Sequence, residues 1–193
     1  MKVISLVFIS LLFYLLPVAQ VITNIYWTEQ TEMDKSNTIY YNPTKNLIWD
    51  NFKGVPGPPG PVAAITASGF GYKANMNSSG GKGEINIAVY CYFNKKGSWV
   101  KPGKTTTYIL NHEQHHFDIV YLFAMQFIHD LKTTKYTMAN YGKVIEKMYR
   151  KSQSALLSMQ IDYDAETKNS QLPDEQQLWN KKIDEQVLAI SKQ

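Results

Sequence analysis

Three of the chain's four histidines lie within the pentapeptide HEQHH, residues 112–116. His112 and His116 are four residues apart, and side chains at this spacing project from nearly the same face of an α-helix. Two imidazoles placed in this way can chelate one zinc ion, and Glu113 beside them can act as general base on a water that the metal has activated. The spacing therefore predicts a helical zinc site with two histidine ligands and a catalytic glutamate.

The helical phase of the neighbouring residues indicates that this histidine pair faces the protein interior. At about 100° per residue, Ile109, Phe123 and Phe127 project within about 60° of the direction of His112. Buried imidazoles need a polar partner, because an unpaired polar group inside a protein is costly. A zinc ion is one such partner, and a metal-free hydrogen-bonded network of the same side chains is the alternative.

The other polar residues near the motif are weaker ligand candidates. His115 could chelate together with His112, but Glu113 would then lose its place beside the metal. Asp118 is expected to pair with His115 or to support the site from outside the ligand set. His129 lies about 20 Å along the helix from His116, so it is expected to be an ordinary surface or capping residue.

The third zinc ligand must come from another segment, because a catalytic zinc usually takes three protein ligands and a water. An acidic residue is expected once the histidines are used. Glu146 in a second predicted helix is one candidate. Asp162, Asp164 and Glu166 in the segment IDYDAET are others, at a position where a helix is expected to give way to a loop. The spacing alone leaves this choice open.

The first half of the chain has the pattern of β-structure. Alternating apolar residues in 63–76 and 84–93 flank the glycine-rich stretch 77–83, which is typical of a β-hairpin. The Gly- and Pro-rich segment 54–62 is predicted to be a surface loop. Residues 21–45 form a lead-in whose structure the sequence leaves uncertain.

The second half of the chain predicts three helices. The first runs over residues 106–131 and carries HEQHH, with the threonines near residue 106 offering an N-cap. The second spans about 138–160, and the third begins at Pro173. A β-rich half followed by a helical half predicts an α+β domain, in which a small antiparallel sheet packs on about three helices.

The N-terminus predicts export. Lys2 precedes an apolar run from Val3 to Leu16, which is shorter than the roughly 20 residues that a transmembrane helix needs. Residues 1–20 are therefore interpreted as a signal peptide, with an uncleaved anchor as the alternative. The mature protein is expected in a periplasm or outside the cell, without stable membrane insertion after cleavage.

The composition of the chain indicates which kinds of binding partner are expected. The 193-residue chain has a formal net charge of +4 and no basic cluster, so nucleic acid is not expected as a partner. Cys91 is the only cysteine, so stability must come from packing or metal and not from an internal disulfide. The 13 tyrosines and 4 tryptophans also allow a binding module with exposed aromatics, although most fit strand and core positions. The oligomeric state is left open.

Four sequence segments carry a family resemblance. They are LIWDNFKG (47–54), SWVK (98–101), LNHEQHHFDI (110–119) and YDAETKNSQLPDEQQLW (163–179). In this order they resemble the domain of unknown function 922 family, the predicted secreted zinc-dependent proteases. The resemblance implies a single zincin-like protease domain over residues 46–193 that acts on peptides or proteins outside the cytoplasm. It also implies that His112 and His116 bind zinc and that Glu113 is catalytic.

One position departs from the family pattern. A histidine stands there two residues after the threonine of the YD-x-x-T segment, whereas this chain has Asn169. If that histidine is the third ligand of the family, the candidates here are Asp164, Glu166, Glu146 and Asn169 itself. The sequence thus predicts a secreted zinc metallopeptidase, and the alternative is a non-catalytic or degenerate zinc-binding envelope protein.

Overall fold

The structure, a computed structural model, describes residues 21–80 and 82–192. Its strands are β1 (Val21–Trp27), β2 (Thr38–Tyr40), β3 (Ala64–Ile65), β4 (Ser68–Ser79), β5 (Lys82–Asn94) and β6 (Trp99–Val100). Its helices are α1 (Thr107–Thr133), α2 (Tyr141–Thr167) and α3 (Pro173–Ser191). The predicted signal peptide, residues 1–20, lies outside the described residues. Within those residues, none of the helices has the length and apolar character needed to cross a membrane.

The central strand of the main sheet is β5. β4 pairs antiparallel with residues 82–93 of β5, which confirms the predicted hairpin. The pairing continues to Ser79 and Lys82, so most of the glycine-rich stretch 77–83 belongs to the strands and not to the connection between them. The other edge of β5 is shared, because β1 runs parallel to residues 83–89 and β2 runs antiparallel to residues 92–94. The sheet is therefore mixed and not purely antiparallel. The segment 21–45, which the sequence left uncertain, supplies two of its four strands.

The helix α1 lies between the sheet and the other two helices. The Thr106 side chain accepts a hydrogen bond from the Ile109 amide at the start of α1, as the predicted N-cap requires. Because α1 is covered on both sides, buried residues occupy most of its circumference from His112 to Leu131. The predicted α+β class is confirmed, with α1 packed on the sheet and with α2 and α3 packed on α1.

The second helix is longer than predicted. It continues beyond residue 160 to Thr167, and the backbone of the C-cap residue Lys168 is left-handed with φ 48°. Asn169 and Ser170 also have positive φ, 51° and 65°, and these three residues redirect the chain towards α3. The expectation that Asp164 and its acidic neighbours lie at a helix-to-loop transition is therefore wrong. They lie in the last two turns of α2, where regular hydrogen bonding orients their side chains.

Two further predictions concern single segments. The loop 54–62 is irregular and largely exposed, as predicted. Cys91 is a fully buried residue of β5, in keeping with the expectation that it packs as a small apolar side chain.

Truncating Phe127 to Ala is expected to destabilise the fold by about 3–5 kcal/mol. Phe127 is fully buried, and its ring lies 5.7 Å from those of Phe70, Tyr72 and Tyr149. It therefore links α1 to both the sheet and α2. The measurement is urea unfolding of the metal-free chain. Phe123→Ala, at a partly buried position on the same helix, is the matched control, and an equal loss there would contradict the central role of Phe127.

Candidate metal centre

The HEQHH motif lines the wall of a cleft with a volume of about 330 Å³. The cleft lies between α1, α2 and the segment that contains β3. His112 and Glu113 are each 3% exposed, and the His116 side chain is 12% exposed. The inward direction predicted from the helical phase is confirmed by this burial, and the open side of the cleft gives a small molecule or a peptide access to the three side chains.

Three ligand atoms converge in this cleft. The Nε2 atoms of His112 and His116 lie 3.2 Å apart. Asp164 Oδ1 lies 3.2 Å from the first and 3.1 Å from the second. The two imidazoles come from adjacent turns of α1, and the carboxylate comes from the last turn of α2. The contact between these helices therefore assembles the group.

The donor set fits zinc. Imidazole nitrogen and carboxylate oxygen are ordinary zinc ligands, and ligands about 2.0–2.1 Å from a tetrahedral ion lie about 3.3 Å from one another. The separations between Asp164 Oδ1 and the two Nε2 atoms, 3.2 and 3.1 Å, are close to that value. Three protein ligands leave the fourth position of a tetrahedral ion for water, as catalytic zinc requires.

The other candidates for a third ligand are placed elsewhere or are otherwise engaged. Glu146 forms an exposed ion pair with Arg150. Glu166 accepts a hydrogen bond from the Trp179 indole, 2.7 Å away. Asn169 lines the same cleft. The turn after α2 accounts for an asparagine at this position, where its backbone N–H donates to the Asp164 backbone carbonyl at 2.9 Å. Asparagine tolerates the left-handed backbone of this turn.

Glu113 adds a carboxylate to the cleft. Its Oε2 atom is buried and has no hydrogen-bond partner among the residues that the structure describes. Burial raises the pKa of Glu113, while the neighbouring His116 and Thr66 act in the opposite direction. The Thr66 hydroxyl donates to the Glu113 backbone carbonyl, 3.0 Å away, and holds the β3 segment against α1. A raised pKa makes a carboxylate a stronger base, and its free oxygen can accept a proton.

The three converging groups perturb one another electrostatically. Burial lowers the pKa of His112, and the hydrogen bond with Asp164 only partly opposes it. Burial also opposes the charged form of His116, but its hydrogen bond with Asp164 and the charge of Glu113 raise its pKa overall. For Asp164, burial is outweighed by hydrogen bonds from both imidazoles, so its pKa lies well below the usual range. The carboxylate is therefore ionised at neutral pH, as a metal ligand must be.

The buried ring of Tyr163 packs against both histidines. It stacks on the His112 ring with centroids 4.4 Å apart, and it meets the His116 ring edge-on at 4.9 Å. Its hydroxyl donates to the His112 carbonyl at 3.4 Å. On its other side, the Trp179 ring of α3 lies 5.4 Å away. Packing of α2 and α3 on α1 therefore restricts the orientation of the imidazoles.

Two other polar residues of α1, His115 and Asp118, link this helix to other parts of the fold. His115 Nδ1 donates to the Asn111 carbonyl at 2.7 Å, and its Nε2 lies 3.3 Å from Asp184 on α3. Asp118 accepts hydrogen bonds from Tyr41 and Gln114, each at 2.8 Å. The ligand atoms of His115, Asp118 and Asp184 lie within 4.8 Å of one another, and the charge of His115 acts to lower the pKa of Asp118, although burial raises it overall. The expected pairing of Asp118 with His115 is therefore an electrostatic one, and the hydrogen bonds of the two residues tie α1 to α3 and to the N-terminal region. His129 is exposed on α1.

Sequence reasoning missed three residues around the site: Tyr163, Gln160 and Gln176. The Gln160 amide group donates to the His116 carbonyl at 2.9 Å, and the fully buried Gln176 reaches α1 from α3. Glutamine and tyrosine are too common on helices to indicate a site by type. Tyr163 and Gln176 do lie within the segment 163–179 that carries the family resemblance, and Gln160 lies four residues before Asp164, which puts both on one face of α2.

Comparison with known proteins provides no relative for this chain. No protein-family model, no curated protein and no solved structure matches it.

Proposed function

We propose that the mature chain is an exported zinc-dependent metallopeptidase. The observation that carries this proposal is the convergence of His112 Nε2, His116 Nε2 and Asp164 Oδ1 within 3.1–3.2 Å of one another. The buried carboxylate of Glu113 lines the same cleft. Two imidazoles, one ionised carboxylate and an adjacent general base are the parts that metal-assisted hydrolysis requires.

Each residue has a distinct part in the proposed reaction. His112, His116 and Asp164 hold the ion, which when bound lowers the pKa of a water and polarises a carbonyl. Glu113 accepts the proton of the attacking water and then delivers it to the leaving amine, for which its raised pKa is suited. Tyr163 keeps the imidazoles in place through its stacked ring. Thr66 holds the substrate-side segment against α1.

The cleft has the form expected for a peptide substrate. In the described part of the chain, β3 pairs with β6 alone, so its second edge remains open. Residues 62–66 line the cleft beside the motif, and an extended peptide can add its backbone to such an edge. The opposite wall contains the apolar side chains of Leu156 and Leu157. These features favour a peptide over a small charged substrate.

Hydrolysis that depends on zinc is the expected result when the mature chain is incubated with a peptide library. Cleavage products identified by mass spectrometry are expected with added zinc, absent after chelation, and restored by fresh zinc. A chain that binds one zinc and cuts no peptide would support the alternative, a non-catalytic zinc-binding envelope protein. A chain that binds no zinc under excess metal would contradict both.

A further inference from the structure

Gln160 of α2 contacts His116 at two points. Its Nε2 donates to the His116 backbone carbonyl at 2.9 Å, and its Oε1 lies within hydrogen-bond distance of His116 Nδ1. A backbone carbonyl can only accept, so the NH₂ group must be on that side and the amide oxygen must face the ring. An amide oxygen also only accepts. His116 Nδ1 must therefore carry a proton.

Gln176 of α3, in contrast, makes no hydrogen bond with the His112 ring. It is fully buried, and its Nε2 lies 3.4 Å from the Tyr108 carbonyl and 3.5 Å from Asn111 Oδ1. Gln176 Oε1 and His112 Nδ1 are both buried and have no hydrogen-bond partner in the described part of the chain. The contacts of the two glutamines therefore assign an Nδ1 proton to His116 and not to His112.

We propose that Gln160 is a positioning residue that holds the Nδ1 proton of His116 and so reserves its Nε2 lone pair for a zinc ion. The inference rests on the proposed metal centre. Histidines that ligate metals usually donate their other N–H to an outer acceptor, which fixes the tautomer and the ring orientation. Here the acceptor is a neutral amide on α2, so docking of α2 on α1 affects the metal affinity.

Zinc affinity tests this assignment. Gln160→Leu removes the acceptor while keeping similar bulk, and it is expected to weaken zinc binding by about 10- to 100-fold. Gln153→Leu is the matched control, because Gln153 lines the same cleft and donates to the Phe70 carbonyl at 3.2 Å. The dissociation constants are measured on the mature chain by competition with a chelator. A zinc affinity of Gln160→Leu equal to that of the control would overturn the proposal.

Nitrogen NMR of ¹⁵N-histidine-labelled chain provides a readout that does not depend on zinc. In the unsubstituted chain, Nδ1 of His116 is expected to be protonated with and without zinc. In Gln160→Leu, His116 is expected to lose this preference, whereas Gln153→Leu is expected to keep it. An unprotonated His116 Nδ1 in the unsubstituted chain would overturn the assignment.

The two readouts separate failure of the inference from failure of the proposed function. If the unsubstituted chain binds no zinc, the metal centre is refuted while the NMR still decides the role of Gln160. If Gln160→Leu does not fold, Gln160→Met removes the same acceptor with a more flexible side chain. Thermal unfolding of every variant identifies losses of affinity that arise only from a damaged fold.

Discussion

Glu113→Gln is expected to lower peptide hydrolysis by about 100-fold or more while the chain keeps its full zinc content. The amide has nearly the same shape as the carboxylate but cannot accept the proton of the attacking water. The proposed zinc ligands belong to other residues, so metal binding is expected to continue. The measurements are the initial rate of peptide cleavage and the zinc content per chain by plasma mass spectrometry.

Glu146→Gln is the matched control for this substitution. Glu146 was a candidate ligand from the sequence, but it lies in an exposed pair with Arg150, so its replacement is expected to change neither rate nor zinc content. Undiminished hydrolysis by Glu113→Gln would refute the proposed role of Glu113. Loss of zinc from the same variant would instead indicate that Glu113 is a ligand.

The same variant has an expected effect on pH-dependent stability. Burial raises the pKa of Glu113 in the folded state, so ionisation costs more in the folded than in the unfolded chain. This cost is absent below the pKa that Glu113 has in the unfolded chain. It grows as pH rises and is complete above the pKa that Glu113 has in the folded chain. The melting temperature of metal-free Glu113→Gln is therefore expected to rise relative to the unsubstituted chain between acidic and neutral pH. No such trend is expected for Glu146→Gln.

Asp164→Asn is expected to weaken zinc binding by more than about 100-fold, since even residues outside the ligand set typically contribute about 10- to 100-fold. Asp164 Oδ1 is the only carboxylate oxygen that the described structure places within 3.2 Å of both Nε2 atoms. A neutral amide at this position is a far weaker ligand. Competition with a chelator measures the change, and the zinc content after dialysis is expected to fall in parallel.

Two controls accompany this prediction. Asp162→Asn makes the same chemical change at an exposed position of α2, and its zinc affinity is expected to remain unaltered. Asn169→Gly removes the other polar candidate in the cleft, and glycine adopts the φ of 51° at this position without strain. Loss of zinc from Asn169→Gly, with retention by Asp164→Asn, would assign the third ligand to Asn169 instead.

The parts of the candidate site that lie within α1 could be predicted because helix geometry is local. Hydrogen bonds every four residues fix the angle between successive side chains, so His112 and His116 share a face whatever surrounds the helix. The phase of Phe127 and its apolar neighbours then indicated which face is buried. Asp164 remained one of several candidates, since it lies 52 residues from His112 and 48 from His116.

The sheet likewise has a local pairing that the sequence predicts and a long-range pairing that it does not predict. The hairpin of β4 and β5 could be predicted because alternating side chains flank a short turn, and a short connection brings its strands together. The parallel pairing of β1 with β5 could not be predicted, because it joins segments about sixty residues apart, such as Val21 and Gly83. Such pairing depends on which edge of β5 remains open after β4 has docked.

The sequence by itself determined the α+β class, the hairpin and the histidine-bearing helix, because each depends on periodicity or on turns between neighbouring residues. Only the tertiary structure decided that Asp164 completes the triangle of ligand atoms. Only it revealed that Tyr163, Gln160 and Gln176 surround the imidazoles. The physical reason is that these side chains meet where α2 and α3 pack on α1. The ends of those helices and their packing against α1 are set by contacts across the whole core.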